Sequence, residues 1–187
     1  MKKILFITAS PTVHGNGAAL IDAAKHIANQ NGAQVKSIEL RNLEIHPCNA
    51  CYACKNTGEC VQKDDFMDIL GLVHEADVII AESPVYYNCL SAQAMTFINR
   101  FCCTFVYPEY EIGPKKKVGI LLTCVGSKEK DLKQHVQGIL TLPSLARGID
   151  SFRTEVFSGC IASDICKKSK AYLERVNHMV LWSLDKI

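Results

Sequence analysis

Three almost unbroken apolar runs of strand length do most to limit what this chain can fold into: Ile4-Leu5-Phe6-Ile7, Val78-Ile79-Ile80-Ala81 and Val118-Gly119-Ile120-Leu121-Leu122. A strand with one wet face alternates apolar and polar residues, whereas a strand apolar at nearly every position belongs in a parallel sheet covered on both faces. Between the runs lie stretches with helical spacing. In Ala18 to Asn29 that spacing puts Leu20, Ala23, Ala24, Ile27 and Ala28 on one side. Asp65 to His74 with Asp64 as N-cap, Ser91 to Phe105, Lys128 to Leu140 and Asp164 to Leu184 read the same way. Weaker strands fall at Val35 to Leu40 and Phe152 to Phe157, and Gly113-Pro114 marks a turn before the third apolar run. The alternation predicts a doubly wound α/β sandwich with five parallel strands and helices on both faces.

A chain of 187 residues fits a single domain, 1–187, able to bury a core without staples. Apolar residues make up 48% and charged residues 21% of the chain, and the net charge is +2. That balance points away from disorder and from a nucleic-acid surface. The opening MKKILFITAS is too short in its apolar part for a signal peptide, and no run has the ~18 apolar residues of a membrane span. The expectation is a cytoplasmic protein.

In doubly wound sheets ligands sit outside the carboxyl ends of the strands, so the informative loops are Ser10 to Gly17, Ser83 to Asn88 and Thr123 to Ser127. The first, SPTVHGNGAAL, joins a strand to a helix N-terminus, where backbone N–H groups and the helix dipole favour a phosphate. It has neither the lysine of a P-loop nor a G-x-G-x-x-G, which favours a monophosphate cofactor over a triphosphate or a dinucleotide. An ordinary strand-to-helix turn is the alternative. The second, SPVYYNCLSAQAM, offers Tyr86 and Tyr87 beside Pro84, with Asn88 and Ser91 as polar groups, where a flat aromatic ring would lie. Lys115-Lys116-Lys117 reads as a solvated strand entrance, with attraction of an anionic nicotinamide phosphate as the sharper alternative.

Ten cysteines without an export signal argue against a disulfide framework. Cys89, Cys102, Cys103, Cys124, Cys160 and Cys166 are scattered, and each reads as a small buried hydrophobe. Cys48, Cys51, Cys54 and Cys60 differ, falling in the compact pattern C-x2-C-x2-C-x5-C within a loop at about 46–62. Such spacing suits the four thiolates of a [4Fe–4S] cluster. Tetrahedral zinc and free thiols are the alternatives.

Taken together, Ser10-Pro11, Gly15-Asn16, Ser83-Pro84-Val85-Tyr86, Ser91-Ala92 and Phe97-Ile98-Asn99-Arg100 resemble the flavodoxin-like NADPH-dependent FMN reductases. The cysteine motif and the following CVQKDDF narrow the resemblance to the iron–sulfur flavoprotein branch. It departs at Thr12, where the family has arginine, and at Gly17, where it has threonine. The resemblance implies FMN held by Ser10, Thr12, Asn16, Gly17, Ala18, Pro84, Val85, Tyr86, Tyr87, Asn88 and Gly126, and a cluster on the four clustered cysteines. It further implies an oxidoreductase that takes electrons from NAD(P)H or a ferredoxin and assembles as a homodimer or homotetramer. The alternatives are a plain NAD(P)H-dependent FMN or quinone reductase without a cluster, and a non-catalytic flavodoxin-like protein with a structural zinc loop. No acid–base residue is assigned; His14 and His46 flank the cofactor loops.

Overall fold

A computed structural model describes residues 1–57, 59–105, 115–142, 145 and 147–187. Five parallel strands, β1 (Lys3–Thr8), β2 (Gln34–Glu39), β3 (Val78–Tyr86), β5 (Lys116–Thr123) and β6 (Ile149–Phe157), lie in the order β2-β1-β3-β5-β6. The expected doubly wound sheet is thus present. It carries one addition, a two-residue strand β4 (Cys89–Leu90) that pairs antiparallel with the end of β3, and the loop after β2 contains a one-turn helix α2 (Cys54–Thr57).

The alternation along β1 shows why the apolar runs are continuous. Ile4 and Phe6 pack on one face with Leu20, Ile21, Ala24 and Ala28 of α1 (Asn16–Gln30) and with Val176, Met179 and Val180 of α8 (Lys170–Ser183). Leu5 and Ile7 pack on the other face with Phe66, Ile69, Leu70 and Val73 of α3 (Phe66–Glu75) and with Ala94 and Phe97 of α4 (Ala92–Arg100). Successive strand side chains point to opposite faces, so a strand with helices on both sides needs apolar residues at every position. On the second face α6 (Glu129–Leu140) buries Leu132 and Val136 against Leu122 and Val156.

β6 starts three residues earlier than expected, at Ile149, and four further boundaries differ from the sequence reading. The helix expected over Ser91 to Phe105 divides at Phe101 into α4 and the short α5 (Cys102–Phe105). The closing helix divides at Ser169, whose extended backbone ends α7 (Ile165–Lys168) and whose hydroxyl accepts the Tyr172 N–H to start α8. Asp65, not Asp64, flanks the start of α3, although the Asp64 carboxylate does accept the Phe66 N–H. β3 runs on to Tyr86, through residues expected to form a loop, because Glu82 to Pro84 stay in register with Leu121 to Thr123 of β5. The expected turn at Gly113-Pro114 lies outside the described residues. Among the described residues no helix is long and apolar enough to cross a membrane.

Candidate functional site

The chain leaves β1 and β3 toward opposite sides of the sheet, so a crevice opens at their carboxyl ends. An open cleft of about 270 Å³ lies there, walled by Ser10, Thr12, His14 and the start of α1, by Pro84 to Tyr86, and by the loops after β5 and β6. Of the eleven residues expected to hold a cofactor, Ser10, Thr12, Asn16, Gly17, Pro84, Val85 and Tyr86 line it. Ala18 is half-buried in the first turn of α1, and Gly126 is exposed beside the wall residue Val125. Tyr87 and Asn88 form the turn between β3 and β4, with φ of 51° and 59°. Two left-handed residues in succession match the right-handed twist of a hairpin, so these two serve the backbone first. Tyr87 is fully exposed at the tip.

No side chain caps α1 and no acidic residue stands in its first turn, which leaves the first amides without intrahelical partners. Side-chain contacts hold the loop after β1 in its conformation. Ser10 Oγ and Thr12 Oγ1 are 2.9 Å apart, and Arg41, from the 3-10 turn Leu40–Asn42, donates to the Thr12 carbonyl at 3.0 Å. A guanidinium therefore still braces this loop although residue 12 is threonine.

Glu82 explains Gly17. A Cβ on Gly17 would stand 2.0 Å from Glu82 Oε1 and 2.7 Å from Oε2, so only glycine lets α1 start over this carboxyl. Glu82 is 1% exposed, and neither oxygen has a hydrogen bond of good geometry among the described residues. Burial pushes its carboxyl up to about 8, with the Ser10 N–H, the Arg41 charge and the Thr123 hydroxyl opposing the shift only in part.

The loop after β6 supplies the fourth wall, Cys160 to Ser163, which the sequence reading did not include. Gly159, at φ 70°, turns the chain back; its N–H reaches Val125 O at 2.9 Å and the Cys160 N–H reaches Cys124 O at 3.0 Å. Asn16 ties this loop to α1, donating to Ala162 O at 2.7 Å and accepting from the Cys166 N–H at 2.8 Å. Its side chain is thereby engaged, and its backbone amide is what it can offer a ligand.

The same edge of the sheet carries the cysteine loop. Ala50 and Tyr52 adopt φ of 53° and 58°, a conformation that costs of order 1–3 kcal/mol per non-glycine residue. These two reversals curl the loop so that Cys48, Cys51, Cys54 and Cys60 line one small pocket of about 20 Å³ with Arg100 and Cys103. Among the described residues no three cysteine, histidine or carboxylate groups stand close enough to hold a single metal ion. Four soft sulfur donors facing one pocket suit thiolate-binding iron or zinc rather than a hard cation.

Arg100 fixes the far side of this pocket. It is 1% exposed, donates to Cys60 Sγ at 3.1 Å and to His46 O at 2.9 Å, pairs with Asp64, and stacks 4.7 Å from the centre of the Phe66 ring. Burial pushes the Asp64 carboxyl up, but hydrogen bonds from Arg100 and from the His46 and Phe66 N–H groups outweigh it and hold the group below the ordinary carboxylate range. Cys103, behind Arg100, is pushed up to about 12, first by burial and then by Cys60 and Cys54.

Three of the scattered cysteines are buried as expected, Cys103, Cys124 and Cys166, but Cys89 and Cys102 are exposed and Cys160 is half-buried. Of the lysine run, Lys115 is exposed as expected, but the other two are engaged by the fold. Lys116 is buried and donates to His74 O and Ala76 O, and Lys117 donates to Trp182 O. Both start β5, at the opposite edge of the sheet from the cleft.

The family model for NADPH-dependent FMN reductase matches residues 2–146. The chain belongs to this family. Within it, the chain is 39% identical over 98 residues to an iron–sulfur flavoprotein of Archaeoglobus fulgidus, covering 52% of this chain and 44% of that one. It is 31% identical over 137 residues to an iron–sulfur flavoprotein of Methanosarcina thermophila, covering 73% and 70% of the two chains. These relatives place it in the iron–sulfur flavoprotein branch, although the matched region spans only about half the length of the first relatives. Among solved structures, RosB with the bound intermediate 8-demethyl-8-formylriboflavin-5′-phosphate superposes with a TM-score of 0.76 at 16% identity, over 96% of this chain and 76% of that one. The agreement extends the flavodoxin-like fold across nearly the whole chain.

Proposed function

We propose that this protein is an FMN-dependent oxidoreductase that passes electrons between NAD(P)H, or a ferredoxin-type donor, and an acceptor through a [4Fe–4S] cluster. The observation that carries the reading is that one chain has, beyond the carboxyl ends of its strands, both a cleft built on an uncapped helix N-terminus and, in the loop after β2, a pocket lined by four cysteines. The membership of the iron–sulfur flavoprotein branch supports it.

The backbone amides of Asn16, Gly17 and Ala18 and the hydroxyls of Ser10 and Thr12 would hold the phosphate, because a helix N-terminus offers N–H groups and a positive dipole end to an anion. Pro84, Val85 and Tyr86 would flank the ring, with Tyr87 and Asn88 shaping the hairpin beside it and Gly126 leaving the loop after β5 open. Cys48, Cys51, Cys54 and Cys60 would hold the cluster, with the Arg100 guanidinium donating to the Cys60 sulfur. FMN supplies exchange of two electrons with a hydride donor or one with a cluster, which joins two-electron to one-electron carriers. Assembly as a homodimer or homotetramer would cover Cys48, Cys51, Tyr52 and Val61, which are exposed in the single chain. Free thiols in this number suit the cytoplasm, where they stay reduced.

The test is anaerobic mixing of the flavin-loaded protein with NADPH, NADH or reduced ferredoxin. Bleaching of the flavin absorbance is expected in wild type and in Cys48→Ala, with transfer onward to a one-electron acceptor lost only in the variant. No bleaching by any of the three donors contradicts the proposal, and equal onward transfer in Cys48→Ala removes the cluster from the electron path.

A further inference from the structure

Two cysteines outside the cluster motif meet at the wall of the cleft. Cys160 Sγ and Cys166 Sγ are 3.6 Å apart, a thiol–thiol hydrogen bond. Their surroundings are unequal. Cys160 is half-buried and lines the cleft, while Cys166 is wholly buried against the α1 and α8 side of the core. The hydrogen bond from Cys166 pulls the Cys160 thiol below its ordinary value even against the effect of burial, whereas the same contact, followed by burial, raises Cys166.

We infer that Cys160 and Cys166 form a second redox centre of this protein, a dithiol that exchanges with small disulfides at the open wall of the cleft. Cys160 is the attacking thiol, since a thiolate that a disulfide can reach reacts faster than a buried thiol. Its sulfur attacks one sulfur of the incoming disulfide, whose S–S bond breaks, and the first half leaves as a thiolate that takes up a proton. Cys166 then gives up its proton, its sulfur attacks Cys160 Sγ, and the second half leaves and is protonated. One disulfide becomes two thiols, the protein dithiol becomes a disulfide, and two electrons have moved outward.

The geometry permits closure. A disulfide needs sulfurs about 2.05 Å apart, so the pair must approach by roughly 1.5 Å, within the reach of side-chain rotation. The loop that must adjust is the one Asn16 holds at both ends, through Ala162 O and the Cys166 N–H. The oxidation state of the pair therefore bears directly on the first residue of α1. Two cysteines that merely filled the core would need neither mutual contact nor a face on the cleft.

The full chain is equilibrated in glutathione buffers of increasing oxidised fraction, alkylated, digested with trypsin and mapped by mass spectrometry. The peptide from Thr154 to Lys167 carries both cysteines and no other, so its disulfide is two alkyl groups lighter than the alkylated dithiol. The expected result is a single transition in that peptide, with glutathione trapped on Cys160 in Cys166→Ser and little on Cys166 in Cys160→Ser. Full alkylation of the wild-type peptide at every ratio overturns the inference, and so does equal trapping on both cysteines. The wild-type transition decides the matter even if a variant fails to fold. The readout is made on the peptide without reference to flavin content, so failure of the cofactor assignment leaves it intact.

Discussion

Gly17→Ala adds a single methyl group where the structure has no room for it. The new Cβ would lie 2.0 Å from Glu82 Oε1, 2.2 Å from Cδ and 2.7 Å from Oε2, and a carboxyl that is 1% exposed cannot swing into solvent to make way. Overpacking of this kind typically costs ~1–3 kcal/mol. Alanine is the better helix former by up to ~1 kcal/mol, and this position is in the first turn of α1, where the gain is smaller. A net loss of about 1–2 kcal/mol is expected, which for a chain of this size lowers Tm by roughly 2–8 °C. Glu82→Ala removes the opposing carboxyl, so in that background Gly17→Ala becomes neutral or mildly stabilising. The measurement is urea denaturation of the four members of the cycle, with m-values checked for two-state behaviour. Additivity to within ~0.5 kcal/mol, or a stabilising Gly17→Ala in the native background, refutes the claim that Glu82 is what requires glycine at residue 17.

Glu82 also ties stability to pH. Its folded carboxyl sits at about 8 against an ordinary 4.5, so the folded protein binds the extra proton between those values, and stability falls as pH rises through that window. Glu82→Gln is expected to flatten the decline in denaturation midpoint between pH 5 and 8, and an unchanged slope counts against the assignment. Between pH 7 and 9 the FMN phosphate is already a dianion, so an affinity that falls several-fold over that range in wild type but not in Glu82→Gln would place the carboxyl beside the phosphate; flavin-fluorescence titration reads it. Arg100→Leu leaves the buried Asp64 carboxylate without its cation and is expected to cost about 3–5 kcal/mol, measured by chemical denaturation; a loss under ~1 kcal/mol would mean the pair is dispensable. Tyr87→Gly relieves a left-handed residue at an exposed tip and is expected to stabilise by about 0.5–1 kcal/mol, whereas a loss of stability would show that the ring packs against something beyond the turn.

The sheet was legible because double-sided burial writes itself as unbroken apolar runs, as β1 and β5 show. The end of β3 was not, since Ser83 to Tyr86 reads as part of a loop in sequence and becomes strand only through its pairing with β5 and β4. The Tyr87-Asn88 turn lacks the glycine that marks most tight hairpins, so nothing in the sequence marks it as one. Seven of the eleven expected cofactor residues line the cleft because the loops after β1 and β3 carry recognisable punctuation. The loop after β6 has only Gly159 as a signal, and it reaches the cleft through Asn16, a residue more than a hundred positions away. Glu82 is hidden in the sequence for the same reason, since nothing local in VIIAESPVY says that a glycine of α1 will lie over it.

The absorption spectrum of protein purified anaerobically, with flavin, iron, acid-labile sulfide and zinc measured on the same sample, tests the proposed pairing of cofactors most directly. About one FMN with about four irons and four sulfides per chain is expected, the iron being lost in Cys48→Ala while the flavin stays. Stoichiometric zinc in place of iron, or protein that binds no FMN when saturated with it, contradicts the account.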